Sequence, residues 1–191
     1  MYVEKVSRRL TGWLVRKNTI GCEDREIYEY GIFQLLVNTW YMLSILLLSL
    51  AFGLPAEGLL FACCFCILRQ YTGGMHAGSL TGCYLMTLGA ALASLLLLRF
   101  VKLPITAMCL IWIFDGIVIF KMAPVEHRNK PLEDRECVVY RRRSIVLWAL
   151  EGILMFLMLS LHFELLSESI LLGNMLCVIS MGAAKFAARK G

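Results

Sequence analysis

Six apolar runs follow one another along this chain, and they decide what it can fold into. In lipid every backbone N–H and C=O must find its partner within the protein, which favours helices for such runs. Four runs are long enough to cross ~30 Å of hydrocarbon at ~1.5 Å per residue, whereas the second and third are short. The runs cover residues 32–54, 57–68, 84–98, 104–122, 145–163 and 169–187.

Charge decides whether the short second run crosses. If all six runs cross and the N-terminus is inside, Arg99 and Lys102 are the only basic residues that remain outside. If the second run fails to cross, eleven basic residues lie outside and eight inside, which the positive-inside tendency opposes. The net charge of +5 is therefore explained first by orientation in the membrane, and we expect no nucleic-acid partner.

The N-terminal segment, residues 1–30, is basic and follows a helical pattern. Val3, Val6, Leu10 and Trp13 recur at spacings of three and four, which predicts an amphipathic helix on the inner membrane surface. A basic cytoplasmic tail that only orients the first span is the alternative. We expect this segment to be retained, because it lacks the apolar core and cleavage site of a signal peptide.

Together these patterns predict an all-α polytopic membrane protein with six transmembrane helices and an N-terminal amphipathic interfacial helix. We expect both termini in the cytoplasm and one integral membrane domain over residues 1–191. The mean hydropathy of +0.71 and the 17% of charged residues agree with this class. The predicted spans cover about residues 32–54, 56–71, 82–98, 104–122, 145–163 and 169–188.

The cysteines divide into two groups. The cluster Cys63-Cys64-x-Cys66 has no histidine or carboxylate near it in sequence, so we expect neither a metal site nor a cofactor. Five of the eight cysteines lie inside apolar runs, where a free cysteine behaves as a small hydrophobe. The three that lie in or beside polar segments, and can react, are Cys22, Cys83 and Cys137.

One polar segment stands out between the second and third runs, residues 69–83. It holds His76 and Cys83, which on a straight helix would lie ~10 Å apart along the axis, beyond hydrogen-bond reach. If they act as a pair, the chain between them must bend. Ser79 or Thr81 can cap the following helix, which places Cys83 in its first turn. Four glycines permit the bend: Gly73, Gly74, Gly78 and Gly82.

A cysteine at a helix N-terminus beside an imidazole is typical of a thiolate nucleophile. The alternative is that His76 is an interfacial loop residue and Cys83 a small residue at a helix start. A rival pair, His127 and Cys137, stands ten residues apart in a charged loop without glycine, which suits catalysis less well.

The spacing Arg69-x3-Gly73-Gly74-x-His76-x6-Cys83 closely resembles the signature of the accessory gene regulator B (AgrB) family of membrane-embedded cysteine endopeptidases. The segment APVEHRNKPL, residues 123–132, resembles that family's second recurring element, and the length and hydrophobic plan agree across nearly the whole chain. The resemblance implies that Cys83 and His76 are catalytic and that Arg69 and Gly74 belong to the same motif.

The resemblance also implies a substrate, a small AgrD-type precursor peptide with an acidic C-terminal tail. The Cys83 thiolate would attack a carbonyl near the precursor's C-terminus, while His76 takes the thiol proton and then protonates the leaving amine. A side chain of the same peptide would capture the resulting thioester, giving the (thio)lactone ring of a quorum-sensing signal. A homodimer is implied by the resemblance alone.

Two acidic residues lie inside predicted spans, where ionisable groups by default suggest function. Asp115 and Glu151 are each six residues from the cytoplasmic end of their span, roughly 9 Å deep. We predict that they border a cavity open to the cytoplasm and that one pairs with Arg69 or orients His76; polar packing is the alternative. Orientation in the membrane is the first explanation for Lys130 and its basic neighbours, but these residues could also attract an acidic tail.

Two other functional classes stay open. A small permease or exporter would use Asp115, Glu151 and the basic loop to move a peptide or an ion without cleaving it. A membrane adaptor would act through its N-terminal helix. A Cys83→Ala change separates the peptidase from both, and truncation of residues 1–15 identifies the adaptor.

Overall fold

The computed structural model describes residues 2–75, 79–125 and 133–188, and its regular elements there are all helices. Five of them, α2 and α4 to α7, are long and apolar enough to cross a membrane. This confirms the predicted all-α polytopic class. The helices are α1 (Tyr2–Arg16), α2 (Arg25–Ala51), α3 (Pro55–Thr72), α4 (Leu80–Phe100), α5 (Ile105–Met122), α6 (Asp134–Ser160) and α7 (Glu164–Ala188).

The predicted second span, α3, is not among those five helices. Its first turn carries Glu57 and its last turn Arg69, and these charges lower its hydropathy. Phe61, Phe65 and Leu68 on this helix are buried. Because protein covers much of α3, the helix needs less apolar surface than one that faces lipid.

Contacts along its length show that α3 runs parallel to α7. Gly173 packs against the backbone of Phe61, and the Cys177 thiol donates to the Phe65 carbonyl at 3.4 Å. Further along both helices, the guanidinium of Arg69 donates to Ser180. The helix α3, which is too polar to count as a span by itself, thus lies beside α7, which is long and apolar enough to cross. Whether α3 itself crosses the bilayer stays a prediction.

The chain divides into two compact units, residues 1–44 and 45–191. In the first unit, the Nε of Arg8 on α1 lies 2.9 Å from Oε1 of Glu29 on α2. Leu10 and Trp13 on α1 are exposed, as expected for an amphipathic helix whose apolar side meets lipid. The predicted N-terminal helix is confirmed, and its place on a membrane surface stays a prediction.

In the second unit, α7 packs against α3, α4, α5 and α6 and is the central helix. Among the described residues, two apolar cores pack around it. We call them the near core and the far core, by their distance along the helices from the 69–83 segment. The near core contains Phe65, Leu68, Ile119, Ala123, Cys177, Val178 and Met181. The far core contains Cys64, Met108, Met155, Ile170 and Leu171.

Helices α5 and α6 are antiparallel and interlock through tryptophan and glycine. The rings of Trp112 and Trp148 stack with centroids 4.3 Å apart. Trp112 lies against Gly152, and Trp148 lies against Gly116, so each ring occupies space that a side chain on the facing helix would fill. The two helices can approach this closely only because both positions are glycine.

Gly152→Ala should therefore destabilise the protein. A Cβ at this position would lie 2.6 Å from Nε1 of Trp112, so the stacked rings must shift, at a cost of about 1–3 kcal/mol for overpacking. The measurement is the thermal unfolding midpoint of the purified protein in one lipid mixture. Gly182→Ala on α7 is the matched control, because no atom lies within 4 Å of its Cβ position. An unchanged midpoint for Gly152→Ala would contradict the interlock.

Candidate active site

The chain leaves α3 through two consecutive glycines. The N–H of Gly73 donates to the carbonyl of Arg69 at 3.1 Å and caps the helix after Thr72. Gly73 has a φ of 71° and Gly74 a φ of 144°, a region that other residues rarely adopt. The chain therefore turns away from the helix axis before it reaches His76, which confirms that no straight helix runs through this segment.

Arg69 holds the residues after this turn against α7. Its guanidinium donates to the hydroxyl of Ser180 and to the carbonyl of Met75, and it lies 5.6 Å from the centroid of the Phe65 ring. The N–H of Met75 in turn lies 3.1 Å from both the backbone carbonyl and the hydroxyl of Ser180. Met75 is thus fixed to α7 by both its N–H and, through Arg69, its carbonyl.

Gly74 closes this arrangement, which we call the Arg69 clamp: Arg69, Gly74, Met75 and Ser180. A Cβ built on Gly74 would lie 2.5 Å from Oγ of Ser180 and 2.6 Å from Nη1 of Arg69. These are the two atoms that hydrogen-bond each other across the clamp. A side chain at Gly74 therefore cannot coexist with the clamp as it stands.

The two sequence elements that resemble a known family come together at their described residues. Gly73, from the first element, forms a bridge with Val125, from the second. The N–H of Val125 donates to the carbonyl of Thr72 at 2.9 Å, and a Cβ on Gly73 would collide with the carbonyl of Val125. The loop after α5 thus supports the turn that follows α3.

Cys83 lies in the first turn of α4, as predicted. Ser79 is the N-cap, with φ −139° and ψ 150°, and its hydroxyl accepts from the N–H of Gly82 at 3.1 Å. The N–H of Cys83 donates to the Ser79 carbonyl at 3.0 Å, and the Thr87 hydroxyl donates to the Cys83 carbonyl at 2.9 Å. The thiol is free and half-buried, at a helix end that favours negative charge.

His76 lies outside the described residues, and so do Lys130 and His127. The distance between His76 and Cys83 therefore stays a prediction, and the rival pair of His127 with Cys137 is likewise untested. What the structure describes is the chain on either side of residues 76–78. Met75 is held in the clamp, and Ser79 caps α4.

Asp115 and Glu151 are buried in the second unit. Both carboxylate oxygens of Asp115 and Oε2 of Glu151 have no hydrogen-bond partner in the described part of the chain. The predicted ion pair with Arg69 is wrong for the described residues, because its guanidinium binds Ser180 and Met75 instead. A role in orienting His76 stays a prediction.

Beside the clamp, the C-terminal end of α3 and the N-terminal half of α6 form a groove of about 440 Å³. Arg143 lies with its guanidinium 5.4 Å from the centroid of the Tyr71 ring, and Tyr71 meets Tyr140 edge to face at 5.8 Å. Arg141 faces elsewhere and donates to the Phe120 carbonyl at 2.8 Å. The groove is lined by Tyr71, Val139, Arg142, Arg143, Val146 and Leu147.

Three contributors to this region are not among the predicted site residues. Ser180 stands in an apolar run with no local pattern to mark it, and Met75 acts only through its backbone. Tyr71 lies within the 69–83 segment, but it helps to form the groove through its contact with Arg143, on another helix. Only knowledge of which helices are neighbours could have found them.

Comparison with known proteins gives one family. The profile of the family described as Accessory gene regulator B (AgrB) matches residues 7–181 of this chain. No solved structure matches the chain.

Similar curated proteins come from Clostridium perfringens. AgrB-like protein 2 of strain 13 is 28% identical over 138 residues, which is 69% of this chain and 64% of that protein. An AgrB-like protein of strain SM101 is 27% identical, with the same coverage of both chains. AgrB-like protein 1 of strain 13 is 23% identical over 74% of this chain and 76% of that protein. The match thus spans less than two thirds of the length of the first two relatives.

Proposed function

The chain belongs to the AgrB family, and from that premise we propose that it is a membrane-embedded cysteine endopeptidase that removes the C-terminal tail of an AgrD-type precursor peptide. Membership of the family indicates a role in processing a quorum-sensing peptide. The observation that carries the proposal further is the pair of fixed ends around residues 76–78. The clamp holds Met75 on one side, and the Ser79 cap holds Cys83 in the first turn of α4 on the other.

In the proposed reaction, Cys83 is the nucleophile and His76 the general base and acid. His76 removes the thiol proton, and the thiolate attacks a carbonyl of the precursor. The peptide C–N bond then breaks as His76 gives its proton to the leaving amine, so the tail departs and the precursor remains on Cys83 as a thioester. A thiol or hydroxyl of the same peptide attacks that thioester, closes the ring and returns the Cys83 thiol.

Arg69 acts in this scheme as a positioning residue. Its hydrogen bond to the Met75 carbonyl fixes the residue directly before His76, while Ser180 anchors the guanidinium to the central helix. Holding a base near its nucleophile converts an encounter into a unimolecular step, which is worth several kcal/mol in favourable cases. Gly73 and Gly74 serve the same end, because they allow the chain to pass this close to Ser180 and Val125.

We further propose that the reaction takes place at the cytoplasmic face, with both termini on the same side. The residues at the end of α3 meet those at the end of α5, so these two connections lie at one end of the second unit. Three consecutive arginines, Arg141 to Arg143, begin the apolar part of α6 at that end. Such a concentration of Arg favours the cytoplasm.

The experiment uses the purified full chain in lipid vesicles with a synthetic AgrD-type precursor. Mass spectrometry should find the released tail, and a covalent adduct on the peptide that contains Cys83 when the reaction is stopped early. Passage of intact precursor across the vesicle membrane without cleavage would instead support the exporter. If several such precursors gave no cleavage and no adduct, the peptidase proposal would be overturned.

The groove beside the clamp is where we expect an acidic tail to bind. Arg142→Gln together with Arg143→Gln should raise KM for a precursor with an acidic tail by about 2–30-fold, at ~0.2–1 kcal/mol for each of the two exposed contacts. A precursor whose tail acids are replaced by amides should lose most of this effect. The measurement is cleavage rate against peptide concentration at two salt concentrations.

The matched control for this prediction is Arg99→Gln. Arg99 lies in the last turn of α4, at the opposite end of the helix from Cys83, and does not line the groove. It should leave KM unchanged for both peptides. If the double arginine variant slowed the amide peptide as much as the acidic one, the groove would not be the tail site.

A further inference from the structure

A polar layer separates the near core from the far core on three helices. On α5, Asp115 stands between Met108 of the far core and Ile119 of the near core. On α6, Glu151 precedes Met155 of the far core and follows Trp148, which packs on the near core.

The central helix α7 contributes to the same layer. Asn174 stands between Leu171 of the far core and Cys177 of the near core. Its side-chain amide donates to the Ile170 carbonyl at 3.1 Å and lies beside the Glu151 carboxylate. Asp115, Glu151 and Asn174 are 0%, 7% and 0% exposed. We call these three residues the polar layer.

The same five-residue pattern builds both sides of the α5–α6 interface. Trp112-x-x-Asp115-Gly116 on α5 faces Trp148-x-x-Glu151-Gly152 on α6, with each tryptophan against the other helix's glycine. Each acid therefore sits directly before the glycine that receives the opposite ring. The interlock thus places each acid next to a tryptophan–glycine contact along its own helix.

The polar layer is short of partners. The unpartnered acceptors among the described residues are both oxygens of Asp115, Oε2 of Glu151 and Oδ1 of Asn174, and the indole N–H groups of Trp112 and Trp148 are unpartnered donors. Two ionised carboxylates in this state would cost several kcal/mol each within a bilayer. Something must therefore neutralise them.

The groups that face the layer from neighbouring helices offer no positive charge. Cys64 on α3 and Cys177 on α7 are within electrostatic range of Glu151, and Cys177 is also within range of Asp115. Arg69 reaches Cys177 electrostatically, but its guanidinium is engaged in the clamp. In the described part of the chain, no salt bridge neutralises either acid.

A bound metal ion fits the layer poorly. Hard cations take about six or more oxygen ligands, whereas the described residues offer four unpartnered oxygens here. Ion sites within membranes commonly add carbonyls from broken helices, but α5, α6 and α7 are continuous through the layer. No group of three or more His, Cys, Asp and Glu side chains suited to a metal occurs among the described residues.

We propose that Asp115 and Glu151 form an intramembrane proton-binding site, in which each side chain holds one proton as a carboxylic acid. The protons are taken up from water. The two acids then carry no charge into the bilayer, and no counter-ion is required.

Infrared spectroscopy of the full chain in lipid vesicles tests this directly. The C=O stretch of a protonated carboxylic acid is resolved from that of an ionised carboxylate. The protein should show such bands at neutral pH, of which one is lost in Asp115→Asn and another in Glu151→Gln. Glu29→Gln is the control, because Glu29 pairs with Arg8 at 2.9 Å and should contribute no such band. Carboxylate bands in place of acid bands for either residue would overturn the proposal.

A second measurement needs no variant. A hydrophobic carbodiimide adds to buried protonated carboxyl groups, so mass spectrometry should find the adduct on Asp115 and Glu151 of the unmodified sequence. Replacing choline by sodium in the buffer should leave the labelling unchanged. Protection by sodium or potassium would mean that a cation occupies the layer and would also overturn the proposal.

Discussion

Replacing Cys83 with alanine is expected to abolish cleavage of the precursor, by about 10³-fold or more, while leaving the fold intact. Alanine removes the only atom that can form the thioester, and no other group in the scheme replaces it. The fold should survive because the hydrogen bonds of Cys83 in the described structure are made by its backbone, which alanine keeps: its N–H donates to the Ser79 carbonyl, and its carbonyl accepts from the Thr87 hydroxyl. Loss of cleavage with an unchanged unfolding midpoint is the result to look for.

Cys22→Ala and Cys137→Ala are the matched controls for this prediction. They are the other two cysteines in or beside polar segments, and each should retain full cleavage. If Cys137→Ala abolished cleavage and Cys83→Ala did not, the rival pair with His127 would be the catalytic one. A Cys83→Ser variant should be folded and much slower, because a hydroxyl is a weaker nucleophile than a thiol.

The start of α4 could be predicted from sequence because it depends on local chemistry. Ser79 precedes an apolar run and is followed three residues later by Gly82, whose N–H it binds. A capping hydrogen bond forms between the N-cap side chain and a backbone N–H three residues later, so it depends on only four contiguous residues. The position of Cys83 in the first turn follows from the cap without any knowledge of the rest of the fold.

The partner of Arg69 could not be predicted in the same way. Sequence showed a charged residue at a helix end and two buried acids, and opposite charges are the natural pairing to expect. The guanidinium instead binds Ser180, because α3 runs parallel to α7 and not because of any charge on that helix. Which helices are neighbours depends on packing across the whole unit.

The same reasoning explains α3. Its hydropathy is low when the helix is judged alone, and five other helices meet the standard that it fails. Yet Phe61 and Leu68 are almost completely buried, so protein surrounds much of the surface that lipid would otherwise touch. The mean hydropathy of a sequence window depends only on the residues of the helix itself, whereas burial depends on what packs around that helix.

Gly74→Ala should be the most damaging small change outside the catalytic pair. Its methyl group would displace Oγ of Ser180 and Nη1 of Arg69, and the φ of 144° is itself unfavourable for alanine. Opening the clamp moves Met75, and a displacement of about 1 Å at a reacting group can cost about 10²-fold in rate. We therefore expect kcat to fall by about 10²-fold, with a smaller change in KM.

Two control variants separate loss of positioning from loss of folding. Gly182 lies two residues from Ser180 on α7, and no atom lies within 4 Å of its Cβ position. The Gly182→Ala variant should therefore leave kcat unchanged. Ser180→Ala removes one of the two groups that bind the guanidinium and should lower kcat less than Gly74→Ala, because Arg69 can still hold the Met75 carbonyl. If Gly74→Ala kept full kcat at an unchanged unfolding midpoint, the turn after α3 would have no part in placing His76, and the role assigned to Arg69 would be lost with it.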